Sequence, residues 1–530
     1  MKKIIATLTL ASAVMVASGQ TTEDALRISQ DKPSGTARSM ALSGAMGALG
    51  GDFTSIGINP AGIAVYRSSE FTFTPSLQYT KTESDYFGII SSDDKFSLPF
   101  QQIGFVGTYR PIHEVSSGLI STHFGIGYSR NNSFSRRSFI QGNGIQSSLL
   151  DMFVDQANAG IWDDFYNGLA NEHYLIDAHP EEGYSGHIHG FEYVGENPDN
   201  IFWGPTNGIN QSRILTESGS TGDFNLSFGA NFSHKLYVGA TLGIATFNFD
   251  KTLSHYEEVN GGWQSYSYNY LYFRALDGFE GRDDFEFREK IKTTGAGINL
   301  KTGIIYKPTN ELRLGLAFHS PTFYSFDDEF TTMVESQYFD IELENNEPVV
   351  YDGGVDRGRR YGEFSYNFRT PLKAVGSLSY IFGTKGLISM DYEYTDYSSM
   401  QFKSKNSTLS DIQSVNARNS AINNTFRATH NLRFGAEYRP TELFSLRAGY
   451  GVFQSPYKEG HFKNKDKHQT YSAGFGFRMD NMFVDFGYML RQEKETYSLY
   501  YASHLNDEDQ MPAQLKTNRH HFGVTLGWRF

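Results

Sequence analysis

The last nine residues, Phe522-Gly-Val-Thr-Leu-Gly-Trp-Arg-Phe530, decide the fold class. Every second residue is large and apolar, and the residues between are small or polar. Successive side chains of a β-strand point to opposite faces, so this stretch predicts a strand with one apolar face. A soluble sandwich would give the same alternation. A chain that ends on such a strand with a terminal Phe, however, is typical of outer-membrane barrels.

The same alternation recurs through the chain, most clearly at 224–232, 312–319, 432–439 and 471–479. The alternate positions include Arg313, Arg433 and Arg478. Charges in a dry sandwich core would be costly. They are tolerated in a barrel lumen that holds water or a polar network, with the apolar residues facing lipid. The pattern therefore favours a barrel.

Fourteen segments alternate in this way. They begin near Phe71, Pro99, Gly118, Gly222, Leu236, Asp284, Glu311, Arg360, Gly386, Thr425, Leu443, His468, Met482 and Gln514. Short connections, such as 233–235 and 479–481, alternate with long ones at 135–221, 250–284, 325–360, 398–424 and 491–513. Short periplasmic turns and long external loops are characteristic of membrane barrels. The sequence predicts an all-β fold, a 14-stranded antiparallel transmembrane β-barrel over residues 69–530, with 135–221 as its longest loop.

The N-terminal region predicts two further segments. Lys2 and Lys3, an apolar run to Ala17 and small residues before Gln20 indicate a cleavable signal peptide over 1–19. Residues 20–68 do not alternate and are rich in Gly, Ala and Ser. This composition predicts a compact hatch, or plug, inside the lumen; a loose periplasmic tail is the alternative.

Composition excludes several classes of function. The 530 residues contain no Cys, which excludes disulfides and thiol chemistry. The net charge of −13 makes nucleic acid an improbable partner. Aromatic residues are abundant, with 43 Phe and 33 Tyr, as expected for many strands with an apolar face. No Gly-x-Ser-x-Gly elbow, Walker loop or Rossmann fingerprint is found, so no catalytic residue and no cofactor is predicted.

Three stretches carry longer motifs. The first runs from Ser39 through Gly44 and Gly47 to Ile58-Asn59-Pro60-Ala61-Gly62. The second joins Thr370-Pro371-Leu372 to 390–398, Met-Asp-Tyr-Glu-Tyr-Thr-Asp-Tyr-Ser. The third comprises 446–450 (LRAGY), 454–456 (QSP), 471–476 (YSAGFG) and 484–489 (VDFGYM). In this order the three stretches resemble the FadL/TodX family of outer-membrane transporters for long-chain fatty acids and hydrocarbons.

The resemblance implies passive uptake of a hydrophobic small molecule through a barrel pocket, movement of the hatch and sideways exit through the wall. It also implies fourteen strands, as counted independently. The hatch residues would be Asn59, Pro60, Ala61 and Gly62. Pro60 fixes φ and biases Asn59 toward extended backbone, and Asn59 can hydrogen-bond neighbouring backbone, which gives a compact turn. An ordinary turn into the first strand is the alternative.

Two further sites are predicted. A lateral portal is placed at Gly125, Gly127, Asn131 and Asn132, because strand glycines often mark kinks or bulges; a tight lumen is the alternative reason for these glycines. A hydrophobic capture loop is placed at residues that recur at helical spacing, where the core of a loop subdomain is the alternative. These residues are Leu149, Leu150, Phe153, Trp162 and Phe165.

Other expectations remain open. His173, His179, His187 and His189 lie among acidic residues, but their spacing matches no standard metal motif, so a solvated loop is favoured. Outer-membrane lipid, lipopolysaccharide and the barrel-assembly machinery, through Phe530, are the expected partners of a monomer. The competing functions are a diffusion porin for polar solutes, uptake of another hydrophobic ligand such as haem, and an outer-membrane enzyme.

Overall fold

A computed structural model describes residues 21–530 except 112–116, 180–182, 187–190, 194–200, 206–207, 261–262, 266–278, 345–346, 406–407 and 507. The predicted signal peptide, 1–19, lies outside the described residues, as do His187 and His189. Within the described part of the chain, no helix has the length and apolar character needed to span a membrane. Strands make up most of the chain.

Fourteen antiparallel strands form one large sheet, and five of them consist of two segments separated by a short break. In chain order they are β1 (Glu70–Tyr86), β2 (Ile89–Ser97 and Phe100–Tyr109), β3 (Leu119–Ser133 and Arg136–Ile145), β4 (Ile209–Phe232), β5 (Leu236–Val259), β6 (Phe279–Tyr306), β7 (Leu312–His319 and Phe323–Glu344), β8 (Glu347–Arg369 and Lys373–Ile381), β9 (Gly386–Asp396 and Gln401–Ser404), β10 (Ala428–Tyr438), β11 (Phe444–Phe453), β12 (Lys467–Met479), β13 (Met482–Tyr497) and β14 (Ala513–Arg529).

The sheet closes on itself because β14 pairs with β1. The ladder runs from Glu70↔Arg529 to Asp85↔Gln514. Each other neighbour in the ring follows in chain order; β4 and β5, for example, pair from Ile209↔Val259 to Phe232↔Leu236. Closure satisfies the edge groups that lipid would not tolerate. The predicted 14-stranded antiparallel barrel is confirmed.

The two faces of the wall differ as the alternation predicts. Outward positions carry exposed apolar residues such as Phe228, Leu316 and Phe522. Many inward positions are buried and polar, and they pair with one another: the Lys301 ammonium lies 2.6 Å from Asp223. Arg447 in turn bridges Glu437 at 2.8 Å and Asp485 at 2.6 Å. Buried charges of this kind are stable only when paired.

Several predicted loops are shorter than expected. The predicted connection at 325–360 is mostly strand, because β7 continues to Glu344 and β8 begins at Glu347. The loop at 135–221 likewise contains the second segment of β3 and the start of β4, and β5 extends to Val259. Beyond the band of exposed apolar residues on the outer face of the barrel, these strands carry polar residues on that face. The alternation that marks a lipid-facing strand is therefore lost there, although the ladder continues.

Helices lie at the N-terminus and in the long connections. The N-terminal segment, residues 21–66, contains α1 (Thr22–Ser29), α2 (Ala37–Ala41), α3 (Phe53–Ile58) and a 3-10 helix (Pro60–Val65). The connections contain α4 (Leu149–Asn158), α5 (Asn167–Glu172), α6 (Leu409–Thr425), two 3-10 turns (Tyr397–Ser399 and Phe462–Lys465) and short loop strands (Ile176–His179, Gly183–Gly186, Phe191–Tyr193, Ile201–Pro205 and Trp263–Ser265).

Candidate functional site: the filled lumen

The N-terminal segment lies against the inner face of the wall. Glycines at inward positions allow the close approach: a Cβ on Gly239 would lie 2.3 Å from the carbonyl oxygen of Pro60, and one on Gly487 would lie 2.4 Å from that of Ala37. The glycines that meet the segment in this way lie on strands around most of the ring. They are Gly104, Gly125, Gly127, Gly229, Gly239, Gly303, Gly315, Gly435, Gly449, Gly474, Gly487 and Gly523.

The Asn59-Pro60-Ala61 turn has the conformation expected from its residues. Asn59 is extended, with φ −139° and ψ 106°, and Pro60 is the first residue of the 3-10 helix. The Asn59 side chain is buried, and its Oδ1 accepts from the backbone N–H of Ala61 at 3.1 Å. Its Nδ2 donates to the carbonyl oxygen of Gly47 at 2.7 Å and to that of Ile304, on the wall, at 3.2 Å. One amide thus joins two parts of the segment to the barrel.

Charged side chains of β7, β9 and β10, within one arc of the wall, hold the segment. The buried Asp391 carboxylate accepts from the backbone N–H of Met46 at 3.0 Å and of Gly47 at 3.0 Å. Arg313 donates to the carbonyl oxygen of Leu49 at 2.6 Å. Arg38 of the segment lies 3.2 Å from Glu437. Charge-assisted bonds in a site of low polarity are stronger than neutral ones, so these contacts tie the N-terminal segment to the wall.

Around α1, aromatic rings from several strands and connections line the lumen, and we call this region the aromatic chamber. The rings pack edge to face and in tilted stacks: Phe326 lies 5.2 Å from Phe247 at 84° and 4.9 Å from Tyr324. Such pairs add stability beyond their buried area. The chamber comprises Phe134, Phe247, Phe249, Tyr324, Phe326, Tyr366, Phe368, Tyr397, Phe402, Phe426 and Tyr457.

Helix α1 occupies this chamber. Its residues Ala25 and Ile28 are buried among the rings, and the Arg27 guanidinium lies 4.2 Å above the centre of Phe249. Lys463, from the connection between β11 and β12, pairs with Glu23 and lowers the pKa of that carboxyl. The apolar side of α1 thus fills a space lined by aromatic rings, and ion pairs hold the helix there.

The predicted capture residues lie in α4 and after it. Leu149, Leu150 and Phe153 are fully buried, in a core shared with Phe287 of the wall. Phe165 contacts wall aromatics, whereas Trp162 is 45% exposed and donates to Asp164. The structure therefore separates Trp162 from the buried three, which form the core of a loop subdomain. Their role in capture stays a prediction.

A buried carboxylate fixes α4 over the mouth of the barrel. Glu257, on β5, accepts from the backbone N–H of Leu149 at 2.8 Å and from the hydroxyl of Ser148, the N-cap of α4. His255 lies 2.7 Å from the same carboxylate. A negative charge at a helix N-terminus is favourable because the first N–H groups lack partners inside the helix. No local sequence signal marks Glu257, because its partner Leu149 in α4 lies 108 residues away in the chain.

The wall is interrupted beside the chamber, at a different place from the predicted glycines. Gly125 and Gly127 are paired on both sides, with Val106 and Gly104 on β2 and with Ser227 and Asn225 on β4. The break in β3 comes later, between Ser133 and Arg136, just after Asn131 and Asn132. A larger residue would not fit at these two positions, because Ile63 of the N-terminal segment lies against Gly125 and Phe53 lies against Gly127.

At this break the second segment of β3 turns inward. Inward side chains of β1 and β14 donate to its backbone: Thr80 to the carbonyl oxygen of Ser135 at 3.2 Å, Ser84 to that of Phe139 at 2.5 Å, and Arg519 to that of Ser135 at 2.8 Å. Among the described ladders, the outer segment of β2 (Ile89–Ser97) pairs only with β1. No ladder among the described residues joins the outer segment of β2 to the second segment of β3. Phe134, which lies at this gap, has its ring in the aromatic chamber.

The remaining predicted features are dispersed. His173 hydrogen-bonds Asp356 at 3.0 Å, and the side chain of His179 lies outside the described set. The part of the chain that the structure describes holds no group of His, Asp and Glu residues able to bind a metal. Phe530 is 68% exposed at the turn end of the barrel. Its recognition by assembly machinery stays a prediction.

The C-terminal half of the chain is similar to a family of outer-membrane transport proteins. The profile of the family described as "Outer membrane protein transport protein (OMPP1/FadL/TodX)" matches residues 281–530. The FadL/TodX resemblance predicted from the sequence is confirmed by this match. No curated protein sequence matches the chain at a significant level.

Three solved structures are similar to the chain over almost its whole length. A Pseudomonas aeruginosa FadL homologue is 14% identical, with 95% of this chain and 100% of that chain covered and a TM-score of 0.48. The P. putida toluene transporter TodX is 12% identical, with 94% and 99% covered and a TM-score of 0.48. The CymD monoaromatic hydrocarbon channel is 12% identical, with 94% and 98% covered and a TM-score of 0.47.

Proposed function

Because residues 281–530 carry the signature of the FadL/TodX family, we propose that this chain is an outer-membrane transporter that takes up hydrophobic small molecules. Hydrocarbons and long-chain fatty acids are the ligand classes that the family suggests. The process is passive, and the chain performs no catalysis. The N-terminal segment acts as the hatch, and Asn59, Pro60, Ala61 and Gly62 form its hinge turn.

The aromatic chamber carries this proposal. A lumen that conducts polar solutes needs a clear path, whereas this lumen holds a ring of buried aromatic side chains beside a packed N-terminal segment. Apolar pockets with a few convergent polar groups are typical of small-molecule sites. Ala25 and Ile28, the buried apolar residues of α1, mark the space that a hydrophobic solute would occupy.

A binding titration tests the chamber. Purified barrel, stripped of lipid by detergent exchange, is titrated with a fluorescent polyene fatty acid. We expect Phe326→Ala to weaken binding by about tenfold, because it removes the aromatic contacts that a ligand in the chamber would make with this ring. The matched control is Phe475→Ala, at an outward position that is 39% exposed. Deletion of α1 should strengthen binding, since the ligand then displaces no helix.

The competing functions give different results in simple assays. Proteoliposomes that swell in sugars at rates typical of an open pore would indicate a porin for polar solutes. Haem binding that is insensitive to Phe326→Ala, with no binding of the fatty acid, would indicate another ligand and site. Hydrolysis of an ester substrate that a single Ser substitution abolishes would indicate an enzyme. Equal fatty-acid binding by Phe326→Ala and Phe475→Ala would refute the chamber as the binding site.

We further propose that the solute leaves sideways, through the wall beside Phe134. The inward turn of β3 and the one-sided pairing of β2 support this path, and so does the position of Phe134 between the chamber and the break. The exit lies next to Asn131 and Asn132. Gly125 and Gly127 belong to the seat of the hatch.

Chemical cross-linking tests the exit. The Arg137 guanidinium of β3 lies 3.0 Å from Asp93 of β2 across the break, and the chain has no native Cys to interfere. Cys residues at these two positions are joined by a reducible bifunctional linker, and uptake is measured in cells before and after reduction. We expect the linker to slow uptake and reduction to restore it. A control pair at Lys81 and Asp94, partners in the β1–β2 ladder, should have no effect; unchanged uptake with the first pair linked would exclude the sideways path.

A further inference from the structure

A recess of about 520 Å³ lies on the outer face of the barrel, across the wall from the aromatic chamber, and Tyr324 and Phe368 belong to the lining of both. Outward residues of four neighbouring strands line it, including Ile298 on β6, Phe323 on β7, Arg369 on β8 and Lys403 on β9. Its size is within the range of small-ligand pockets. The recess faces the membrane and has no part in the path proposed for the transported solute.

The recess arises where three adjacent strands break at one level. β7 is interrupted at 320–322, β8 at 370–372 and β9 at 397–400. The backbone N–H of Thr370 donates to the carbonyl oxygen of Thr322 at 3.1 Å, so the first two breaks are bonded to each other. Breaks of this kind bend a sheet. The recess is therefore built into the wall rather than formed by mobile side chains.

The recess lies at the external edge of the apolar band. Ile298 and Phe323 are about half exposed, and on the turn side of them the outer face continues with Leu300 and Leu316. Toward the long loops the outer face becomes charged, beginning with Asp327 and with Lys292, whose ammonium lies 2.8 Å from Glu329. This boundary is the level at which the headgroups of the outer leaflet meet the barrel.

The charge of the recess is positive and uncompensated. Lys405, one step farther out, lies 3.4 Å from Asp327. By contrast, no ion pair to Arg369 or Lys403 is found among the described residues. The Arg369 guanidinium is oriented by donation to the carbonyl oxygen of Ser399 at 3.4 Å. Two cations above two apolar side chains complement a lipid that carries a phosphate on its headgroup.

We propose that this recess binds a phosphorylated lipid of the outer leaflet. Arg369 and Lys403 hold the phosphate, and the acyl chains lie along Ile298 and Phe323. Arg is suited to this role because its planar fork can donate two parallel hydrogen bonds to one phosphate.

Native mass spectrometry tests the site. Detergent-solubilised full-length barrel is titrated with a bis-phosphorylated glycolipid of the lipid A type and, separately, with its dephosphorylated form. We expect Arg369→Glu combined with Lys403→Glu to weaken binding of the phosphorylated lipid by about 10- to 30-fold. The conservative exchange Arg369→Lys with Lys403→Arg should keep most of the affinity. Lys516→Glu, an exposed outward lysine on β14, is the matched control and should bind like the unmodified chain.

Each outcome decides the proposal. Folding of every variant is checked by its heat-modifiable migration in gels; if the double-Glu variant does not assemble, the two lipids on the unmodified barrel give the answer. Equal binding of phosphorylated and dephosphorylated lipid overturns the proposal, as does equal binding by the double-Glu variant and Lys516→Glu. Full competition by millimolar inorganic phosphate would mean that the site takes free phosphate and not a lipid.

Discussion

Asn59→Asp is the most informative change in the plug, because it alters hydrogen bonding with almost no change in shape. Asp retains the oxygen that accepts from the N–H of Ala61, and it is as good an N-cap as Asn. It loses both donations of Nδ2, at 2.7 Å to Gly47 and at 3.2 Å to Ile304. A carboxylate oxygen then faces two carbonyl oxygens in a site that is only 1% exposed.

The expected cost follows from these contacts. Each lost neutral hydrogen bond contributes about 0.5–1.5 kcal/mol, and buried carbonyls left unsatisfied add to this. We therefore expect the free energy of local opening of the N-terminal segment to fall by about 2–4 kcal/mol. At about 1.4 kcal/mol per factor of ten, the opened population rises between about 30-fold and 700-fold. The barrel itself should keep its stability, since its ladders are untouched.

Hydrogen exchange read by mass spectrometry measures this opening. Peptides that cover residues 40–65 should exchange faster in Asn59→Asp by the factor given above, whereas peptides from β12 to β14 should not change. Asn310→Asp, in an exposed turn, adds the same charge without touching the segment and is the control. If residues 40–65 exchange alike in the two variants, the amide of Asn59 does not hold the plug, and the reasoning from its contacts is wrong.

Two other predictions concern the seat of the plug and the external loops. Gly239→Val should open the plug, because its Cβ would lie 2.3 Å from the carbonyl oxygen of Pro60. Gly376→Val should leave the plug closed, because a Cβ there meets nothing within 4 Å. The rate of hydrogen exchange of residues 40–65 compares the two variants. His504, in the loop between β13 and β14, has its pKa raised by the Asp151 carboxylate of α4, 3.7 Å from its Nε2, against the effect of partial burial. A raised pKa stabilises docking of this loop below the ordinary His pKa and loses that contribution as pH rises through the raised value. The protection of this loop from hydrogen exchange, corrected for the intrinsic effect of pH, should therefore fall as pH rises from about 6 to 9. His504→Gln should remove this pH dependence. If the protection of the loop in the unmodified chain does not change with pH, the assignment to His504 is wrong.

The sequence by itself determined the class of fold. A strand repeats every two residues, so an apolar lipid-facing side leaves its mark on any short stretch, and fourteen such stretches could be counted without knowledge of their neighbours. The Asn59-Pro60-Ala61 turn was also readable, because the φ of Pro60 and the extended preference of the residue before it are local properties. The family motifs extended both conclusions to a class of function.

Strand length and the position of the wall break were not readable in the same way. Outside the apolar band the outer face of β7 and β8 meets water, so charged residues such as Asp327 and Glu329 resemble a loop, although the ladder continues. Gly125 and Gly127 suggested a kink, but the break lies at 134–135. A glycine makes room for a neighbour as readily as it bends a strand, and only the packed plug shows which of these it does.

The aromatic chamber was decided by tertiary structure alone. Phe247 and Phe249, Tyr324 and Phe326, and Tyr366 and Phe368 are spaced as lipid-facing residues would be, yet they point into the lumen. Which face a residue occupies depends on the register of its strand with two neighbours, and a shift of one residue would turn every ring outward. Closure of the ring fixes that register. It brings together rings that lie far apart in the chain, and it places α1 between them.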